Sequence, residues 1–266
     1  MHSYNLFTNA EESLEESKLD LLLFCDEEYE KETLDTLLQQ SEYLYSGALI
    51  THTIQRVEGL SKSTLKSVQK SSDAQEIFRR GMNFGSSYEL QGNALIIGYI
   101  TNHSSTHVQD FLSSFEDAEG ISTFEKLSDD SYTLALFCAG FLLEATRRFN
   151  VILGGEVDMA FTLFIADILR GDVLMRLNSQ NVTFVMSRFT KEQEHILTLL
   201  QKLSYNPRAL YIDYSLQTSE IQEIQDIETT PLRECAAASA MLLYAQNCGL
   251  EEETLVNELE ISTYLL

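Results

Sequence analysis

Gly92 to Thr106 reads GNALIIGYITNHSST and runs directly into HVQDFLSSF. Five of the six residues from Ala94 to Tyr99 are apolar, interrupted only by Gly98, which is the pattern of a strand buried on both faces. The small and hydroxyl residues that follow open a helix. Backbone N–H groups in a first helical turn have no partner inside the helix, so together with the hydroxyls of Ser104, Ser105 and Thr106 they can hold an oxyanion such as a phosphate. An ordinary helix N-cap uses the same residue types, and both assignments stay open at this point.

Strands and helices alternate on either side of this segment. Leu19 to Cys25 predicts a second buried strand, and the acidic segment Asp26 to Tyr45 carries Leu34, Leu37, Leu38 and Tyr45 at helical spacing. Ser46 to Gln69 suggests a helix ending near Gly59, and Asp73 to Leu90 a helix with Ile77, Phe78, Met82, Gly85 and Tyr88 on one side. Further on, Ser131 to Phe149 predicts a strongly apolar helix, Val151 to Leu153 a short strand stopping at Gly154-Gly155, and Val157 to Leu169 another helix. Val182 to Met186 and Arg208 to Tyr214 predict strands, separated by a helix from Thr190 with a Thr190–Gln193 capping box. A final helix runs from Thr230-Pro231 to near Gly249. This alternation predicts an α/β fold, a three-layer αβα domain with a mainly parallel sheet and a smaller helical part from the chain ends. One domain spans residues 1–266, with 26–70 and 250–266 available for a small helical subdomain.

Composition narrows the function. The chain has 266 residues, 44% of them hydrophobic, enough for a sizeable core. Its 41 acidic and 18 basic residues give a formal charge of −23, whose field repels long nucleic acid and anionic membranes but leaves room for a small anion held by local dipoles. Cys25, Cys138, Cys235 and Cys248 form no CxxC pair, so neither a zinc knuckle nor a disulfide framework is indicated, and a reducing cytoplasm is expected. MHSYNLFTNAEESLEESK lacks the basic-then-apolar order of a secretory leader. The longest apolar run, Leu134 to Leu143, is about half a membrane span.

Two further places carry chemistry. The Gly154-Gly155 pair either brings backbone close to a ligand or simply makes the turn between strand and helix. Glu234, in LRECAAASAMLL, is either a first-turn carboxylate favoured by the helix dipole or a general base.

Taken together, these stretches resemble the nicotinate-nucleotide:dimethylbenzimidazole phosphoribosyltransferase family, whose members make the lower-ligand nucleotide of cobamides. The match runs loosely from about Asp73 to Gly249. The family's G-E-M-G-I-G-N-T-T segment falls on Gly98 to Thr106. Its Ala-rich helix, strand and glycine turn fall on FCAGFLLEATRRFNVILGGEVDMAF, and its S-H-x-S-x-E-x-G-H segment on SRFTKEQEH, which keeps Ser187, Glu192 and His195. Its R-L-G-E-G-T-G-A-A-L-A-L segment is similar to LRECAAASAMLL. Tyr99 replaces a motif glutamate, Thr101 and His103 replace glycines, and Cys235 and alanines replace the glycines beside the glutamate.

The resemblance implies transfer of phosphoribose from nicotinate mononucleotide to a benzimidazole-like or purine-like base, with no metal and no cofactor. Glu234 becomes the catalytic base, although Glu220, after IDYSLQTS, suits a different gap. Ser104, Ser105, Thr106, Gly154, Gly155 and Ser187 become substrate-binding residues, and a homodimer is expected, with the apolar helices at 131–149 and 231–247 supplying its surface. The alternative is a diverged relative that binds a nucleotide or base without catalysis, as a regulatory or partner protein. An α/β interaction protein with an acidic surface is a third class.

Overall fold

The structure, a computed structural model, describes residues 7–9, 18–40, 45–47, 60–101, 106–115, 122–154, 157–170, 173, 177–187, 193–229 and 237–264. In chain order the elements are β1 (Phe7–Asn9), β2 (Leu19–Asp26), α1 (Leu34–Leu38), β3 (Leu60–Val68), α2 (Ala74–Ser87), β4 (Ala94–Ile100) and α3 (Thr106–Phe115). Then come α4 (Thr123–Lys126), α5 (Thr133–Ala145), β5 (Asn150–Gly154), α6 (Val157–Leu169), β6 (Val182–Ser187), α7 (Gln193–Lys202) and β7 (Arg208–Ile212). The chain finishes with α8 (Gln222–Thr229), α9 (Ala238–Asn247) and α10 (Glu252–Tyr264). The strands form one seven-stranded sheet in the order β1-β7-β6-β5-β4-β2-β3, with every pairing parallel.

Alternation along each strand feeds two cores. In β4, Leu95, Ile97 and Tyr99 pack with α2, α5, α6 and α7, while Ala94, Ile96 and Ile100 pack with α9 and α10 on the opposite face. The result is the three-layer αβα arrangement expected of a parallel sheet whose strands are apolar on both sides. On the first face Phe24 meets Phe137 and Phe141 edge-on, with centroids 5.6 and 5.4 Å apart. The helices α2 and α5 cross at backbone contact, because a Cβ on Gly81 would stand 1.9 Å from the Phe137 carbonyl oxygen and one on Gly140 2.1 Å from that of Phe78. Entry into β4 is fixed by a carboxylate: fully buried Asp20 accepts hydrogen bonds from the backbone N–H groups of Gln91 and Gly92, both at 2.9 Å.

Several expectations change. Over the 26–45 segment read as helix, the described residues hold a 3-10 turn at Glu27–Tyr29, the short α1, whose cap Thr33 accepts from the Thr36 N–H, and a helical Tyr45, while 41–44 lie outside the described residues. Residues 48–59 lie outside the described residues, and 60–68 form the edge strand β3. The helix start expected at Thr230-Pro231 lies outside the described residues, and the described helix α9 begins at Ala238, after Ala237 with φ 61°, which no right-handed helix passes through. Its end is as read: Gly249 adopts φ +89°, and the Leu250 N–H reaches back to the Ala245 carbonyl at 2.9 Å. Nor can α5 and α9 supply a dimer surface. All of α5 except Glu144 is buried, as are residues 238–245 of α9, so the monomer core already uses these apolar faces. Among the described residues no helix is long and apolar enough to cross a membrane.

Candidate functional site

The strand order locates a site before any side chain is considered. From β2 the chain moves outward to β3, then returns across β2 to β4 and continues the other way through β5, β6 and β7. In parallel sheets the crevice for a ligand lies beyond the carboxyl ends of strands where the winding reverses, which here is between β2 and β4. At that point Thr101 donates its hydroxyl to Asp26, 3.2 Å away, and the Asp26 side chain is only 5% exposed. Residues 102–105, which follow Thr101 in the chain, lie outside the described residues.

Beside the reversal, α9 comes down onto the sheet. Gly98 and Gly154 each lie one residue past the last β4–β5 pair, Ile97 with Leu153, and are therefore neighbours on adjacent strands. Both are occupied from above by Ala237. A Cβ on Gly98 would stand 2.5 Å from the Ala237 Cβ and 2.6 Å from its N, and one on Gly154 would stand 2.6 Å from its Cα. Two glycines are required because the backbone entering α9 approaches closer than any side chain allows. One strand further along, Ser239 donates its hydroxyl to the Val185 carbonyl at 2.7 Å, fastening the first turn of α9 to β6. Val185 is the register partner of Gly154.

Ala237 is the non-glycine residue with a left-handed backbone among the described residues. That conformation costs an L-residue roughly 1–2 kcal/mol and is where glycine is expected. In the frame of the phosphoribosyltransferase resemblance, position 237 is a glycine. Ala237 faces the sheet, so it forms a structural seat and does not line space for a base.

The other residues singled out in the sequence fall as follows. Gly154 ends β5, and Ser187 ends β6 fully buried, on the α9 face, paired in register with Ile212. Thr106 is the first residue of α3, so the helix predicted after the hydroxyl run does start there. Ser104, Ser105, Gly155 and Glu234 lie outside the described residues, with Glu234 three positions before Ala237. Glu220 is exposed in the segment after β7, where its backbone N–H donates to Glu260 at 2.8 Å.

Tyr99, at the position of the family's motif glutamate, points the other way. It belongs to the opposite core, where its hydroxyl bonds to that of Thr162 and lies 3.4 Å from the Leu134 carbonyl. Burial raises its pKa well above the ordinary tyrosine value, so it stays neutral. Burial, reinforced by the neighbouring Asp26 charge, likewise pushes the Cys25 thiol up to about 12, which makes it a poor nucleophile. Among the described residues no three His, Cys, Asp or Glu side chains converge to hold a metal ion. Asp26 is the site residue that sequence reasoning misses, since it reads as the start of an acidic stretch. The available signal is its place as the first polar residue after an apolar strand.

No protein-family model matches the chain, and no curated protein matches its sequence. Among solved structures it is similar to the crystal structure of CobT from Thermus thermophilus, at 11% sequence identity and a TM-score of 0.49, over 92% of this chain and 83% of that one.

Proposed function

We propose that this protein transfers phosphoribose from nicotinate mononucleotide to a benzimidazole-like or purine-like base, giving an α-ribazole-phosphate-type nucleotide for cobamide lower-ligand assembly. The observation that carries the proposal is the seat of Ala237 on Gly98 and Gly154, next to the reversal in strand order. Ala237, three residues after Glu234 in sequence, packs on the ends of β4 and β5, and Ser104, Ser105 and Gly155 follow those strands in the chain. In this scheme the backbone at 154–155 and the hydroxyls of Ser104, Ser105 and Thr106 hold phosphate and ribose, and Ser187 supports them from β6. A ring nitrogen of the base attacks the anomeric carbon as the bond to nicotinate breaks, its electron pair returning to the pyridine ring. Glu234 accepts the proton of the attacking base. Asp26 acts as a positioning residue through Thr101.

Incubating the purified protein with nicotinate mononucleotide and a panel of bases, with mass detection, tests the proposal. Free nicotinate and a new nucleotide of matching mass are expected. If nicotinate mononucleotide binds but no base in the panel yields a nucleotide, the protein is a binding relative without catalysis.

A further inference from the structure

We propose that the cleft between the carboxyl end of β3 and α2 is a second binding site, for a small organic monocarboxylate. This cleft of about 470 Å³ is lined by Glu30, Lys66, Val68 and Gln69 on the strand side and by Arg80, Phe84 and Phe137 from the helices. Its volume falls in the range of small-molecule sites, roughly 300–1,000 Å³. Phe84 and Phe137 belong to the core on the face opposite α9, so the cleft is separate from the Ala237 seat.

Charge is the argument for an anion. In the whole chain carboxylates outnumber cations by 41 to 18, so a surface cation should readily find an acidic partner. From residue 60 to residue 80 the balance inverts, with Lys62, Lys66, Lys70, Arg79 and Arg80 against Asp73 and Glu76. Among the described residues neither Lys66 nor Arg80 makes an ion pair. The Lys66 ammonium lies 5.4 Å from the centroid of the Phe84 ring, and Arg80 donates one N–H to the Gln69 carbonyl. The guanidinium has five N–H donors, so others remain for a ligand. Two cations kept out of ion pairs in a strongly acidic protein, above an apolar floor of Val68, Phe84 and Phe137, fit a carboxylate carried on a flat or aliphatic body.

Glu30 decides the charge of that ligand. Glu30 lines the same cleft, and its negative charge offsets one of the two cations, which favours a monoanion over a phosphate dianion.

The test is titration of the wild-type protein with benzoate, benzylamine and inorganic phosphate, followed by the two methyl resonances of Val68. Saturable benzoate binding that shifts these methyls is expected, with benzylamine and phosphate at least about tenfold weaker. Lys66→Gln with Arg80→Gln should weaken benzoate by about tenfold or more, and Glu30→Gln should narrow the gap between benzoate and phosphate. Benzylamine binding as well as benzoate, or benzoate leaving both methyls unmoved, would overturn the proposal without any variant. So would unchanged benzoate affinity in a folded double variant. None of these measurements contains nicotinate mononucleotide, so loss of the phosphoribosyl-transfer proposal would leave this one standing.

Discussion

Replacing Gly98 by alanine tests the contact on which the candidate site is built. The added Cβ would meet the Ala237 Cβ at 2.5 Å, its N at 2.6 Å and its Cα at 2.9 Å. Carbon atoms rest at about 3.5–4.0 Å, so the start of α9 must lift by about 1 Å, and two of the three atoms are backbone that cannot rotate aside. Overpacking of this kind costs roughly 1–3 kcal/mol, while replacing glycine within a strand returns about 0.5–1 kcal/mol. The expected loss is about 1–2 kcal/mol, or about 2–8 °C in Tm for a chain of this size. Ala237→Gly alone should stay near wild type, because relief of the left-handed strain, roughly 1–2 kcal/mol, offsets a lost buried methyl of about 1 kcal/mol. Combining the two removes the shortest contact but leaves the one to the Ala237 N, so the double variant should recover about half of the loss. Urea unfolding of the four proteins followed by circular dichroism gives the cycle. A Gly98→Ala protein within about 0.3 kcal/mol of wild type, or strictly additive changes, would refute the seat.

Other expectations follow from single positions. Glu234→Gln should lower phosphoribosyl transfer by about 10²-fold or more while nicotinate mononucleotide still binds, and Glu220→Gln should leave the rate intact; the reverse pattern moves the base to Glu220. Tyr99→Phe should cost about 1–1.5 kcal/mol of stability without changing KM, because Thr162 keeps its bond to the Asp158 carbonyl at 2.9 Å; a raised KM would show that Tyr99 reaches substrate. Glu260 accepts from the Ser219 hydroxyl at 2.6 Å and from the Glu220 N–H, which hold its carboxyl below the usual value. Its stabilisation is present above the unfolded pKa of about 4.3 and fades as pH falls through the folded one, so Glu260→Gln should flatten the acid limb of a stability–pH curve. Any homodimer must use surface outside α5 and α9, and α10 exposes Ile261 and Tyr264 at 52% and 78%. Light scattering at micromolar concentration should find a dimer that Ile261→Ser with Tyr264→Ser weakens; a wild type that stays monomeric refutes it.

What can be read from the sequence tracks how much of each element's environment is carried by its own residues. The strands β2, β4 and β5 are apolar on both faces, so periodicity marks them, and it bounds α6 to the residue, at Val157–Leu169, because almost all of that helix is buried. The edge strand β3 has a single neighbour in the sheet, β2. Its LSKSTLKSV reads as polar, yet the ammonium groups of Lys62 and Lys66 lie over the rings of Tyr88 and Phe84, 5.1 and 5.4 Å from their centroids, contacts that no periodicity announces. The start of α9 is misread for a different reason. Pro231 and the alanine run after Glu234 favour helix locally, but the left-handed turn at Ala237 is imposed by Gly98 and Gly154, more than 80 residues away in the chain.

That same contact explains how an alanine can hold a left-handed turn at the start of α9. A turn can be held by glycine, which adopts it freely, or by surroundings that force an alanine into it and absorb the strain. Here the surroundings do so: α9 is bound to β6 through Ser239, its next residues are fully buried, and the two strand glycines leave room for one methyl and no more. Tyr99 shows the complementary case. Strand alternation places residues 98 and 99 on opposite faces, so once Gly98 serves the α9 side, Tyr99 belongs to the core with Phe24 and Thr162. A glutamate at 99 would be buried there beside Leu134 and Thr162, and that burial would cost several kcal/mol. The tyrosine, which meets the same hydroxyl with a neutral donor, is the residue this interior can accommodate.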